Sequence, residues 1–272
     1  MKTLALILMC FLIASQFFTK TALAAMKVAS KKVSISGKLD VATVQDLKKW
    51  SDLEETSCPA LCAEVVEIPH SYICSFKTKT EMNNTLLRMG FFTGTADGYV
   101  KGTLVSNSES ALNMYKKVVG GHTLTSDDII AFRLAANASS NTSSKLNDQE
   151  SDFYSNIITN ISSQSTDSKY AIIAFANDAS NYEVIVGHEI NHASFYLQPT
   201  YKKAAKQFWQ NKVSHEDKIK IRSILSKIYN AKDDNIIVDE FQAYLTQLDE
   251  KNNPLAKFIP KYKQKLMKNL GL

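Results

Sequence analysis

After residue 24 the chain lacks any apolar run long enough to cross a bilayer, which excludes a membrane-spanning helix over that range. It also lacks a strong charge of either sign. The formal net charge is +5, and loss of Lys2 and Lys20 with a leader leaves +3, too weak an excess to point to nucleic acid. Cysteine is scarce: there are four in 272 residues, and only Cys58, Cys62 and Cys74 lie beyond the leader. In an oxidising compartment the expectation is one bridge and one free thiol, with Cys74 paired to either Cys58 or Cys62.

The leader itself is legible. Lys2 precedes an apolar run from Leu4 to Phe18, and Ala22-Leu23-Ala24 supplies a small-x-small end, so cleavage after Ala24 is expected. Ser15, Gln16, Thr19 and Lys20 break the run below the length of an anchor. These features predict a secreted or periplasmic chain of about two domains with no stable membrane anchor. Asn-x-Ser/Thr triplets at Asn83, Asn137, Asn141 and Asn160 are potential glycan acceptors, although chance explains them equally well in a chain rich in Asn and Ser.

Residues 25–78 form an N-terminal segment with the cysteines, in which Val33-Ser34-Ile35-Ser36 alternates as a short strand does. From Thr80 a helical pattern (Met82, Leu86, Leu87, Met89) reaches Gly90, which suits a left-handed helix stop. A glycine-containing turn follows over Phe91 to Gly98, then a second helix with Ala111, Leu112 and Tyr115. A third helix starts at Ser126, whose side chain can cap Asp127-Asp128-Ile129-Ile130. Residues 136–168 are dense in Asn, Ser and Thr and suit a linker with one amphipathic helix at about 151–162.

Leu86, Gly90, Phe91, Phe92, Gly94, Asp97 and Gly98, then Ala111, Leu112 and Tyr115, resemble the hallmark of the small helical peptidoglycan-binding domains over residues 79–135. The resemblance implies peptidoglycan as a partner. It departs at Tyr99 to Ser110, a longer polar link than the pattern has, and at Lys116, where a Gln is usual. The plainer alternative is a three-helix spacer whose glycines make turns.

The chemistry concentrates further on. Tyr170 to Ala176 is a short apolar run that suits a strand, and Ser180-Asn181-Tyr182-Glu183 has the form of a capping box opening a helix that ends before Pro199. Inside that helix stands His188-Glu189-Ile190-Asn191-His192. Histidines four apart share one helix face and can hold one zinc ion, while Glu189 can take a proton from the water there. Catalytic zinc wants a third protein ligand and an open position. The astacin-like continuation is missing, since Phe195 and Gln198 stand where a Gly and a His belong. Ile237, Phe241, Tyr244, Leu245 and Leu248 make a helical apolar stripe with Glu240 on it, and a carboxylate so placed needs a partner. Asp239 is the alternative ligand, about a quarter-turn off the stripe.

This pattern, with Glu240 in Glu-Phe-x-Ala, resembles the gluzincin metallopeptidases over residues 169–250, with the ligand arrangement of the anthrax lethal factor group. The resemblance implies zinc on His188, His192 and Glu240, Glu189 as general base and acid, and a strand at 170–176 that borders the cleft and pairs with an extended peptide. The wider spacing from His192 to Glu240 than in thermolysin-like enzymes leaves the subfamily and substrate open. For the oxyanion donor, Tyr244 is the first candidate, ahead of Tyr229 and His215. Core packing is the plainer reading for each tyrosine, and a surface helix start for His215 after the Ser214 and Asp217 cap. His70 and His122 read as surface or turn residues. The C-terminal lysines Lys257, Lys261, Lys263, Lys265 and Lys268 suit the solvated face of a terminal helix, or a contact with anionic surfaces.

The expected fold is α+β and mostly helical, with a small zincin-like catalytic domain at 169–272 (short sheet, active-site helix, ligand helix) behind a three-helix module. The expected function is a zinc-dependent peptidase acting on proteins or peptides. The alternatives are a peptidase of peptidoglycan stems, or a catalytically silent binding protein of the cell envelope.

Overall fold

The computed structural model describes residues 29–33, 39–43, 60–65, 68–107, 119–164, 169–247 and 252–272. The leader, Cys58, Ala111, Leu112, Tyr115, Lys116 and Leu248 lie outside this set, and so do the readings that rest on them. The architecture is α+β and mostly helical. Six strands form one mixed sheet: β1 (Ala29–Val33), β2 (Leu39–Thr43), β3 (Leu61–Val65), β4 (Ser71–Phe76), β5 (Gly121–Thr125) and β6 (Ala171–Ala176). They lie side by side in the order β2-β1-β3-β4-β6-β5. β4 and β6 are parallel, and every other neighbouring pair is antiparallel.

The side-chain period of two divides the sheet into two faces. Ile172, Ala174, Leu124, Cys74 and Phe76 point to one core, which helices α1 (Lys79–Phe92) and α2 (Ser126–Ala138) complete with Met82, Leu86, Met89, Ile129 and Phe132. Ala171, Ile173 and Phe175 point to the other, against Val186 and Ala193 of α5 (Tyr182–Leu197). β6 is therefore apolar at every position because both its faces are covered. Cys62 and Cys74 stand directly opposite in the β3–β4 ladder and are disulfide-bonded, which selects Cys62 over Cys58 as the partner.

The segment 136–168 holds the amphipathic helix expected at about 151–162, but packed into the core and not in a linker. It carries α3 (Asp148–Phe153), a π-turn at Tyr154–Ile158 and α4 (Thr159–Gln164), whose Phe153, Tyr154, Ile157, Ile158 and Ile161 fill the first core. Buried Arg88 of α1 anchors it, donating to Glu150 at 2.8 Å and to the carbonyls of Ser144 and Lys145. Nor do the described residues of 79–135 stand apart from the sheet. β5 lies inside this range and pairs with β6, because its alternating residues bury Leu124 on one face.

Several local expectations shift by a turn. α1 runs past Gly90 to Phe92, and the left-handed residue is Gly94 (φ 70°), where a Cβ would meet the Lys101 backbone at 2.6 Å. Gly90 instead lies under the His122 ring. The cap of α2 is Thr125, one residue before Ser126, and α5 starts from Asn181 without a side-chain cap, so the Ser180 box does not form. Asn83 is buried and cannot carry a glycan.

Beyond Gln198, Pro199 ends α5 and opens α6 (Pro199–Lys212), a position its fixed φ suits. α7 (His215–Leu225), α8 (Asp234–Thr246) and α9 (Ile259–Leu270) then pack with α6 around Phe208, Trp209, Ile221, Ile237, Phe241, Leu245, Tyr262 and Leu266. Truncating a buried ring such as Phe241 to Ala costs about 3–5 kcal/mol in sites of this kind. This helical layer holds α8 against α5. Among the described residues no helix is long and apolar enough to cross a membrane.

Candidate metal centre

α5 and α8 build the site between them. His188 and His192 are one turn apart on α5, and their Nε2 atoms lie 3.1 Å from each other. Glu240, on α8, points its carboxylate between the rings: Oε2 is 3.5 Å from His188 Nε2 and Oε1 is 3.7 Å from His192 Nε2. One ligand atom from each residue falls within 4.8 Å of the other two. Glu240 is 7% exposed, and its Oε2 is buried with no hydrogen-bond partner among the described residues. A buried carboxylate oxygen left so is costly unless something positive meets it. Two imidazole nitrogens and a carboxylate at these separations could hold a metal ion.

The rings are fixed from behind. His192 Nδ1 donates to Asp239 Oδ1 at 2.8 Å, since a carboxylate only accepts, and His188 Nδ1 lies 3.0 Å from Gln247 Oε1, to which it donates. Both bonds leave the two Nε2 atoms facing inward with their lone pairs free. Asp239 Oδ1 also accepts from Gln242 Nε2 at 3.0 Å. Gln242 Oε1 in turn accepts from Tyr201 of α6 at 2.7 Å. Asp239 is thus a support for His192 and not an alternative ligand.

The electrostatics favour a cation. Burial works against a charged His192 ring, but the carboxylates of Asp239 and Glu240 outweigh it and hold its proton up to about 10. Burial likewise pushes Glu240 up, yet the two histidines outweigh it and its carboxyl lies below the ordinary value. Whether proton or metal, positive charge is what this cluster attracts.

Glu189 faces strand β5. Thr123 Oγ1 donates to Glu189 Oε2 at 2.7 Å and lies 3.0 Å from its carbonyl oxygen, the longer of the two acceptors for its one proton. Gly121 lets the strand come this close: a Cβ there would lie 2.5 Å from Ile185 Cγ2 and 3.0 Å from Glu189 Oε1. The Tyr244 ring lies 4.5 Å from the His188 ring, tilted by 56° to it, and its hydroxyl lies 2.9 Å from that of Tyr229. Burial, followed by the charge of Glu240, raises both hydroxyls, Tyr244 to about 12, so both remain protonated donors at neutral pH. The glycine-rich turn after α1 reaches this corner, where Asp97 N donates to Ile228 O at 2.9 Å and Asn230 N to Thr95 O at 2.8 Å.

Of the residues expected from sequence, His188, His192 and Glu240 come together, with Tyr244 and Tyr229 alongside. His215 is exposed at the start of α7, capped by Ser214 as expected. His70 sits in a turn at φ 66°. His122 is no turn residue: it lies on β5 with Nε2 2.8 Å from Asn83 Oδ1, and burial lowers it to about 4. Strand 171–176 has no free edge to pair with a peptide, because β6 is flanked by β4 and β5. The outermost strand on that side is β5, whose residues 119–125 carried no such signal beyond the Gly120-Gly121 pair. Asp239, Gln247 and Thr123 were not foreseen in their roles, since side-chain support across elements leaves no spacing to read.

No family model, curated protein or solved structure matches this chain.

Proposed function

We propose that this chain is a zinc-dependent peptidase of the gluzincin kind, with His188, His192 and Glu240 as ligands. The observation that carries the reading is the orphaned, buried Glu240 Oε2 at the point where both Nε2 atoms converge. The donor set, two imidazoles and one carboxylate with a free position, is what catalytic zinc takes. When bound, zinc supplies a Lewis acid that polarises the scissile carbonyl and brings water to near-neutral acidity.

The chain's own residues supply the remainder. Glu189, next to His188 and held by Thr123, accepts a proton from the attacking water and returns it to the leaving amide nitrogen. The Tyr244 and Tyr229 hydroxyls, protonated at neutral pH, are donors for the carbonyl oxygen as it gains charge, Tyr244 first. Asp239 and Gln247 hold the imidazoles in the tautomer that presents Nε2 inward. Among the described residues β5 pairs on one side only, with β6, so its other edge is the place for an extended peptide to add a strand.

Cleavage of casein, an unfolded protein substrate, tests this. The wild-type chain should cleave it in a chelator-sensitive way. Glu189→Gln should keep its zinc and lose turnover by at least about 10²-fold. Equal cleavage by wild type and Glu189→Gln contradicts the reading.

A further inference from the structure

The residues of β5 that face α5 are set by its register with β6. Gly121, Thr123 and Thr125 stand opposite Phe175, Ile173 and Ala171, the row that packs on the active-site helix. On β6 that row is apolar; on β5 its middle position is a hydroxyl. A hydroxyl between a strand and a helix is costly unless it bonds. Thr123 Oγ1 has two acceptors, both from Glu189: the carboxylate Oε2 at 2.7 Å and the backbone carbonyl at 3.0 Å. A hydroxyl carries one proton, and the bond to the carboxylate is the shorter of the two.

We propose that Thr123 is a positioning residue that fixes the Glu189 carboxylate in one orientation and so makes Oε1 its working oxygen. This rests on the peptidase reading above. With Oε2 tied to Thr123, Oε1 is the oxygen left to take a proton; it lies beside Gly121, where an added Cβ would come within 3.0 Å of it. The proton balance follows. A water O–H bond breaks, its proton goes to Glu189 Oε1, and the water oxygen bonds the carbonyl carbon. The proton then passes from Oε1 to the amide nitrogen as the C–N bond breaks, releasing a carboxylic acid and an amine. Gly120 and Gly121 let the strand approach the helix this closely, since a Cβ at either would lie within 2.6 Å of an Ile185 side-chain carbon.

The test compares Thr123→Val, which keeps the volume and removes the donor, with Thr123→Ser, which keeps the donor. Casein cleavage, zinc content and crystal structures are measured for each. Thr123→Val should lose about 10–100-fold in kcat, with KM and zinc content within about twofold of wild type. Thr123→Ser should restore most of the rate. In crystals the Glu189 carboxylate should leave its place in the Val variant and keep it in the Ser variant. If Thr123→Val does not fold, Thr123→Ala serves as the donor-free protein. Wild-type kcat in the donor-free variant, an unmoved Glu189, or an equal loss in Thr123→Ser each overturns the proposal while leaving the peptidase reading intact. No cleavage by wild type overturns both together.

Discussion

Asp239 Oδ1 accepts from His192 Nδ1 at 2.8 Å, although the two residues are 47 positions apart and sit on different helices. The bond fixes the ring's tautomer and makes Nε2 a better electron donor toward the point that Glu240 shares. It also places a second negative charge behind the ligand set, held in turn by Gln242 and, through it, Tyr201.

Removing that support should weaken metal binding without abolishing the site. Asp239→Ala leaves His188, His192 and Glu240 in place, so zinc affinity should fall by about 10–100-fold, read by competition with a chromophoric chelator. Asp239→Asn, which can still accept through its amide oxygen, should fall less. Undiminished affinity in the alanine variant would show that the pair is incidental.

His122 gives the fold a dependence on acid. Burial lowers its folded pKa to about 4 from the ordinary 6.5, so between those values the unfolded chain binds more protons than the folded one. Its contribution is complete above about 6.5 and is lost as pH falls toward 4. The loss is at most about 3 kcal/mol, because the residue is partly exposed. In urea unfolding, wild type should lose stability from pH 7 to pH 4.5 more steeply than His122→Gln, whose amide can still reach Asn83. Parallel slopes would count against a buried neutral ring.

The Cys62–Cys74 bridge closes a loop with a sequence separation of 12, for which restricting the unfolded chain is worth about 3 kcal/mol. A Cys62→Ala, Cys74→Ala double variant should unfold at correspondingly lower urea. Since β3 and β4 lie on the far side of β6 from β5, the Glu189 contact with Thr123 should survive. A loss of zinc in this variant at low urea would show that the sheet is more tightly coupled to the site than its strand order implies.

The readable parts of the fold were those written in local periodicity. The buried strand at 171–176, the helix bearing His188 and His192, and Glu240 on a core-facing stripe each follow from residues a few positions apart. β5 was missed because five residues with only Leu124 fully buried look like a turn before a capped helix, and pairing to β6 across 50 residues decided otherwise. Within 136–168 the helix expected at about 151–162 is present, and what its local pattern does not carry is that Phe153, Ile157 and Ile161 all face one core instead of a linker's surface. By residue type Gly90 suits a helix stop and Gly94 and Gly98 a turn. Gly94 does bend the chain, whereas Gly90 and Gly121 are small because another element crosses them.

The central claim is one cation shared by two imidazoles of α5 and a carboxylate of α8. Metal analysis of the purified chain, alongside His188→Ala and Glu240→Ala, tests it most directly. About one zinc per chain in wild type, lost or sharply reduced in both variants while each remains folded, is the predicted result. Wild-type protein that takes up no metal from zinc-containing buffer, or variants that hold as much as wild type, would contradict it.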